Sequence, residues 1–470
     1  MNNKVEEELQ FWEYDDKGKP KILQSKLIGF LESKGFVNIK VSNTNYLLIR
    51  ERNNRISECS IEVPMQIIRD YLCSYELFDV YETFAKGVGA YLGGRKLGLL
   101  NSIDLINDRD GRDNSCIYFK NCFINITSDE IKLNSYSELK GAIWENRILD
   151  RSFKLPKDKF QGQFEMFCWN LSKKDDKRFK ALKMIIGYLL HRNRERGEDR
   201  AIILYDEKMG LYNQAHGGTG KTLLSDALNQ IREVVDFDGK NVKIGSWFRN
   251  QRVNLTTDVL AYDDLEKSTS LENFFAIITG KVEVEKKRMQ AFQIPKENAP
   301  KLIITSNYLV LGPGGNSDKR RRHEFEIANH YNEDYQPEDE FGNRFFESDW
   351  EDEQWNKFYH FMMQCIQVYL SKGLINVEPI NLLKARKEST SCKEFVDFAE
   401  LMFEFNKWND KREFDILFKT EYTKYKDVSS KMITKWLTAF AMDKGGKILF
   451  KSSGGDYLTM IELNEDEEEV

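Results

Sequence analysis

A chain of 470 residues with 41% hydrophobic and 13% aromatic side chains has material for about three folded cores of ordinary domain size. Its formal net charge of -6 gives no bulk positive field, so contacts with nucleic acid must come from local basic patches. The opening MNNKVEEELQFW lacks the apolar centre of a leader, and no apolar run is long enough to span a bilayer. The seven cysteines include no CxxC pair, which argues against a zinc ribbon or disulfide framework and for reduced thiols in a cytoplasmic protein.

Residues 1–110 read as an α+β domain whose role the residues do not state. KILQSKLIGFLESKGF carries apolar residues at helical spacing, and NTNYLLIRE follows as a strand. KGVGAYLGG is expected to be a glycine-rich turn. Asp104, Asp108, Asp110 and Asp113 form an acidic cluster, and the turn composition of NDRDGRDNS, which holds the last three, predicts a solvated acidic loop rather than a metal site. Residues 111–200 begin with the strand-like CIYFKNCFINI and turn helical through FQGQFEMFCWNL and RFKALKMIIGYLLHRNRER, so this segment is expected to be mainly a helical collar.

Residues 201–330 alternate buried strands with loops and helices, the pattern of an α/β core. AIILYDEK, TTDVLAYDDLE and APKLIITSNYL each run apolar and end polar, at the end where open α/β sheets bind ligands. Residues 331–389 open with YNEDYQPEDEFGNRFFESDWEDE and are expected to be an acidic linker followed by helices. Residues 390–470 read as a separate small domain ending in an acidic tail. Within it, Ser429 or Ser430 caps a helix that places Ile433, Trp436, Leu437 and Phe440 on one face, with Lys431 and Lys435 opposite. KILFKSSGGDYLTMIEL then predicts a hairpin, which completes a winged-helix-like layout suited to DNA or to protein docking.

Four motifs carry chemistry. In GGTGKT, Gly217, Gly218, Thr219 and Gly220 turn backbone N–H groups toward phosphate oxygens, Lys221 neutralises them, and Thr222 holds magnesium at a helix start. Ala215 stands where the usual pattern has its entry glycine. Some 40 residues on, Asp263 and Asp264 end an apolar run, one suited to magnesium and the other to polarising water. Asn307 ends KLIITSN, where it would sense the γ-phosphate. The run DKRRRHEFEI offers Arg321 or Arg322 as an arginine finger acting on a neighbouring subunit. Between the acids and KLIITSN, VEVEKKRMQAFQI predicts two short strands around a basic tip of Lys286, Lys287 and Arg288.

The ordered set GGTGKT, LAYDD, IITGKVEVEKKRMQAFQIP, KLIITSN and KRRRHEF resembles the superfamily 3 helicases, the hexameric AAA+ motors of small viruses, phages and plasmids. YFKNCFINI and the text after it resemble the module before the motor in D5-type primase-helicases. The resemblance spans about residues 111–330 and implies an AAA+ P-loop ATPase core using ATP and Mg2+. It also implies a homo-oligomeric ring acting on single-stranded and forked DNA, with the basic hairpin lining the pore and a separate primase or polymerase as a further partner. No primase carboxylate set and no nicking motif is present in the sequence. Two other readings stay open: an AAA+ ATPase that remodels without unwinding, and a nucleotide-switched DNA-binding initiator.

Overall fold

The computed structural model describes residues 9–40, 46–104, 109–158, 160–194, 197, 199–208, 218–241, 246, 249–287, 291–383, 386, 393–453 and 456–463. The chain is a mixed α/β protein organised around a parallel sheet.

The N-terminal part is an α+β unit. A five-stranded sheet is built from Phe36–Lys40, Tyr46–Arg52 and Arg55–Glu58, with Ser102–Asp104 along one edge. Its other edge is Ile143–Trp144, which pairs in parallel with Arg55 and Ile56, so the chain returns to this sheet well after residue 110. Helices Gln24–Ser33, Glu62–Ser74 and Phe78–Tyr91 cover it with a core that includes Phe11, Phe30, Leu31 and Phe84. KGVGAYLGG is not a turn: its first half lies inside the helix Phe78–Tyr91, where packing of Val80 and Phe84 outweighs the weak helix preference of glycine.

The segment expected as a helical collar is helical only in its second half. Asn114–Phe119, Phe123–Thr127 and Ile131–Asn134 form an antiparallel meander, and Ile148–Leu149 pairs in parallel with its first strand. Helices α1 (Gln163–Leu171) and α2 (Asp176–Leu190) follow, α2 capped by the Asp175 carboxylate accepting from the Arg178 N–H at 2.9 Å. Asp110 is not a solvated loop residue: it is 6% exposed and bound by Arg192 at 2.8 Å and by Arg232 at 3.6 Å. Burial would raise its carboxyl, but these guanidinium groups hold it far below the usual carboxylate range. Asp108 lies outside the described residues.

The central sheet has strands β1 (Ala201–Asp206), β2 (Val234–Asp238), β3 (Val259–Asp263), β4 (Lys301–Ser306) and β5 (Arg322–Ile327). All are parallel, in the order β2-β3-β4-β1-β5, so all five carboxyl ends open on one edge. Helix α3 (Lys221–Asn229) follows β1. β1 and β4 are buried along their whole length, which is why they read as continuous apolar runs rather than alternating ones.

Residues 331–383, expected as an acidic linker and helices, are not a linker. Tyr331, Phe345 and Trp350 are buried while Glu333, Asp334, Glu338, Asp339 and Glu347 face outward, so the acids decorate a packed aromatic segment. Helix α4 (Asp352–Lys372) then inserts Trp355, Phe358, Met362 and Ile366 into the core shared by α1, α2 and one face of the central sheet. A Cβ on Gly187 would stand 2.1 Å from the Cys365 carbonyl oxygen, so only glycine lets α2 and α4 approach this closely.

The C-terminal unit runs as helix Lys393–Met402, short strand Asn409–Asp410, helices α5 (Lys411–Glu421) and α6 (Ser430–Asp443), and the hairpin Gly446–Ser453 with Asp456–Leu463. Ser429 is the cap of α6, its hydroxyl accepting from the Met432 N–H at 3.3 Å. Ile433, Trp436, Leu437 and Phe440 are buried, and Lys431 and Lys435 are exposed.

Candidate functional site

The carboxyl edge of the central sheet gathers residues from four separated motifs. β1 ends in Asp206. The loop positions 209–217, including Ala215 and Gly217, lie outside the described residues. The chain is described again from Gly218 (φ +84°) through Thr219 to Gly220 (φ +98°), the cap position of α3. Both glycines occupy the left-handed region, and a Cβ on Gly220 would also stand 2.7 Å from the Phe167 ring.

Lys221 opens α3 and is buried, its Nζ donating to the Asp206 carboxylate and to Asn307 Oδ1 at 2.9 Å. The Thr219 hydroxyl donates to the other oxygen of Asp206. Thr222, one residue further, is exposed, and its Oγ1 lies 3.3 Å from Asp263 Oδ2. The second oxygen of Asp263 accepts from the Thr305 hydroxyl at 2.5 Å. β3 and β4 are neighbours, which is what brings Asp263, Thr305 and Asn307 together.

Asp264 has φ +54°, a left-handed conformation that costs a non-glycine residue about 1 kcal/mol or more. Three bonds hold it there. Its N–H donates to Thr305 Oγ1 at 2.8 Å, its carboxylate accepts from Asn307 Nδ2 at 2.9 Å, and Lys240 pairs with the remaining oxygen at 2.5 Å. Asn307 thus bridges the two halves of the site: its amide oxygen accepts from Lys221 and its amide nitrogen donates to Asp264.

The surroundings are electronegative. Asp226 and Asp236 are pushed above the usual carboxylate range by burial, then by neighbouring carboxylates that include Asp263. The hydroxyl of Thr222 and the carboxylate of Asp263 are hard oxygen donors within reach of one centre, a set suited to magnesium. On the other side, Lys221 and the start of α3 supply positive potential, of the sign that suits an anionic phosphate.

Arg321 and Arg322 are not part of this cluster. Arg322 starts β5 opposite Ala201, whereas Ile327 lies opposite Asp206, so five strand positions, about 17 Å, separate Arg322 from the carboxyl edge of its own sheet. Arg322 is bound to Asp318 at 2.9 Å and Glu324 at 3.0 Å, and these carboxylates raise its value against the opposing effect of burial. Arg321 donates to the Ser317 carbonyl at 2.8 Å and stacks over Phe275. The exposed arginine of the run is Arg320, which sequence reading passed over.

The expected basic hairpin forms: Val282–Val284 pairs antiparallel with Phe292–Ile294. Lys287 at its tip is exposed, and Lys286 donates to Asn254 Oδ1 at 2.6 Å. Arg288 lies outside the described residues.

Sequence reading also missed Asp206. Its signal was present, an acid closing an otherwise apolar strand just ahead of the glycine loop, because a carboxylate 1% exposed must have a charged or hydrogen-bonding partner.

Residues 214–322 match a family described as "Family of unknown function (DUF5906)". No curated protein matches. Three apo structures of the C-terminal region of NrS-1 are similar at 13%, 14% and 14% identity, covering 93% of this chain and 98–99% of theirs. Their TM-scores are 0.42, 0.41 and 0.43, likenesses so distant that the fold is read from its own strand order. Among the described residues, no helix is long and apolar enough to cross a membrane.

Proposed function

We propose that the chain is an ATP-driven DNA helicase of the superfamily 3 type, an AAA+ motor assembling as a hexameric ring, that serves replication of a phage, plasmid or satellite element in the cytoplasm. The observation that carries this reading is the convergence of Lys221, Thr222, Asp263, Asp264 and Asn307 on one edge of the parallel sheet from three separate motifs. The strand order, with β1 between β4 and β5, supports an AAA+ core.

In this reading Lys221 leaves Asp206 for the β/γ-phosphates, and Asn307 orients the attacking water beside Asp264, which accepts its proton. Thr222 and Asp263 would hold magnesium, which when bound neutralises charge on the phosphates. The distance of Arg321 and Arg322 from their own subunit's site supports a finger acting in trans, hence a ring. Lys286, Lys287 and Arg288 would grip one DNA strand in the pore. The helix–strand–helix–helix–hairpin order of the C-terminal unit supports a winged helix, with Lys431 and Lys435 toward DNA.

The test is ATP hydrolysis and unwinding of forked DNA by the wild type beside Lys221→Ala. Both activities are expected in the wild type, and the variant should lose hydrolysis by about 10²–10³-fold, the scale for deleting one stabilising charge at a reacting phosphate. Hydrolysis that survives Lys221→Ala would sink the site. Hydrolysis without unwinding would transfer the protein to the remodelling class.

A further inference from the structure

A cavity of about 740 Å³ lies away from the carboxyl edge of the central sheet. It lies on the N-terminal unit, over the hairpin Tyr46–Arg52 and Arg55–Glu58, and is closed on its far side by Tyr136, Ser137 and Glu145. Asn53 (φ +50°) and Asn54 (φ +62°) make the two-residue turn, so the register is fixed: Arg50 faces Ser57 and Arg52 faces Arg55. Side chains two apart on a strand share a face, which puts Arg50, Arg52 and Arg55 together on the cavity wall.

This arrangement works against the stability of the hairpin. Like charges directly opposite across two strands repel. Among the described residues, no carboxylate oxygen lies within ion-pair distance of any of the three arginines. Arg50 instead donates to the Lys34 carbonyl at 3.0 Å, and Arg55 lies over the Tyr136 ring at 5.4 Å from its centroid. With Arg50 held by a carbonyl, Arg55 by a ring and Arg52 exposed beside them, the cluster is suited to an anion that comes from outside the chain.

A second cavity of about 460 Å³ shares Ser57, Glu58 and Glu145 with the first and extends to Asn254, Leu255 and Thr256, beside the central sheet. Asn254 is the residue that accepts from Lys286, at the root of the basic hairpin. The two cavities open on opposite faces of the strand pair, the second on the face of Leu47, Ile56 and Trp144, and share only Ser57, Glu58 and Glu145. Glu58 and Glu145 stand where the cavities meet, so the positive potential is concentrated at the arginine end.

We propose that the arginine cavity binds single-stranded DNA, with Arg50, Arg52 and Arg55 on its phosphates and Tyr136 beside its bases. The identity of the anion rests on the motor reading above; the arginine cluster does not. A phosphodiester backbone suits the site because each phosphate offers one charge to a guanidinium group and a base can lie against the Tyr136 ring.

The experiment uses the full chain and a fluorescein-labelled oligo-dT strand followed by anisotropy over a range of salt concentrations. Arg52→Glu with Arg55→Glu should weaken binding at least tenfold at low salt and lower the slope of log K against log salt by about 1.4, two single-strand phosphate contacts. ATP hydrolysis without DNA should not change. The milder Arg52→Gln with Arg55→Gln should lower the slope in the same direction, which separates lost contacts from misfolding. Unchanged affinity and slope in both variants would overturn the proposal, and a Lys287→Glu variant that still loses binding in that case would leave the motor reading standing. Loss of binding to polyglutamate, with oligo-dT binding intact, would also overturn it in favour of an acidic protein partner.

Discussion

The two ends of the central sheet are both crowded with charge, yet they are built for different purposes. At the amino end, Asp258 precedes β3 and is shared by Arg109 at 2.6 Å and by Arg147. Asp199 precedes β1 and takes Arg194 at 3.2 Å and Lys296 at 2.5 Å. Lys301 opens β4 and donates to the Tyr188 carbonyl at 2.6 Å, while Arg232, just before β2, donates to the Leu190 carbonyl at 2.7 Å. These groups consume one another and tie the sheet to the 111–200 segment. At the carboxyl end, Thr222 is exposed, Asp263 and Asp264 are half-buried, and Asp264 sits in a strained conformation. Burial of charge therefore does not mark a site. Charge that is held in place but still reachable from solvent does.

The contrast can be broken most forcefully at the amino end. Asp258→Ala removes the carboxylate that two buried guanidinium groups share and should destabilise the protein by about 3–5 kcal/mol, read by urea denaturation. ATP hydrolysis per folded molecule should persist, the reverse of Lys221→Ala. If Asp258→Ala left stability intact and abolished turnover, the division between the two ends would fail.

A smaller effect should come with pH. Burial, aided by the Lys301 ammonium, pushes His191 down to about 4, and burial with Arg200 nearby does the same to His323. Both lie at the amino end of the sheet or beside it. The folded values lie below the free imidazole value near 6.5, so as pH falls the unfolded chain takes up the proton first. The stabilisation is complete above about 6.5 and is lost toward 4. For His191 the loss between pH 7 and pH 5 is about 2 kcal/mol. Denaturation at the two values should show it in the wild type and less of it in His191→Gln, whose amide can still donate to the Gly111 carbonyl that His191 Nε2–H reaches at 2.9 Å. Equal slopes in the two chains would remove histidine as the cause.

The smallest predicted effect sharpens the carboxyl end. Asp206 holds Lys221 and Thr219 and would face an arriving phosphate with like charge. Asp206→Asn should tighten nucleotide binding about tenfold, or ~1.4 kcal/mol, by titration calorimetry. A weaker Kd would mean instead that Asp206 aims the lysine at the phosphate.

Much of the site was legible because its signals are local. The glycines before Lys221, the acids closing β3 and the asparagine closing β4 are each readable within a few residues, and the strands around Lys286 and Lys287 alternate visibly. The apolar face of α6 follows from helical spacing alone. The errors share one cause. Asp110 was read from its turn-rich neighbourhood, but its fate is set by Arg192 and Arg232, far along the chain. The acids of 331–353 drew attention away from Phe345, Trp350 and Trp355, which the core claims. The glycines of KGVGAYLGG were weighed without the aromatic packing that keeps them helical.

The amino-acid sequence by itself determined the order of the motifs, the parallel α/β character of the core and the chemistry offered at each strand end, since these depend on short-range periodicity and residue type. Only the tertiary structure decided which charges meet: Asp206 with Lys221, Asn307 between Lys221 and Asp264, Arg322 away from them, and three arginines facing one cavity. Whether a charged side chain is solvated, paired or left waiting for a ligand depends on residues brought close from distant parts of the chain, and no local pattern encodes that.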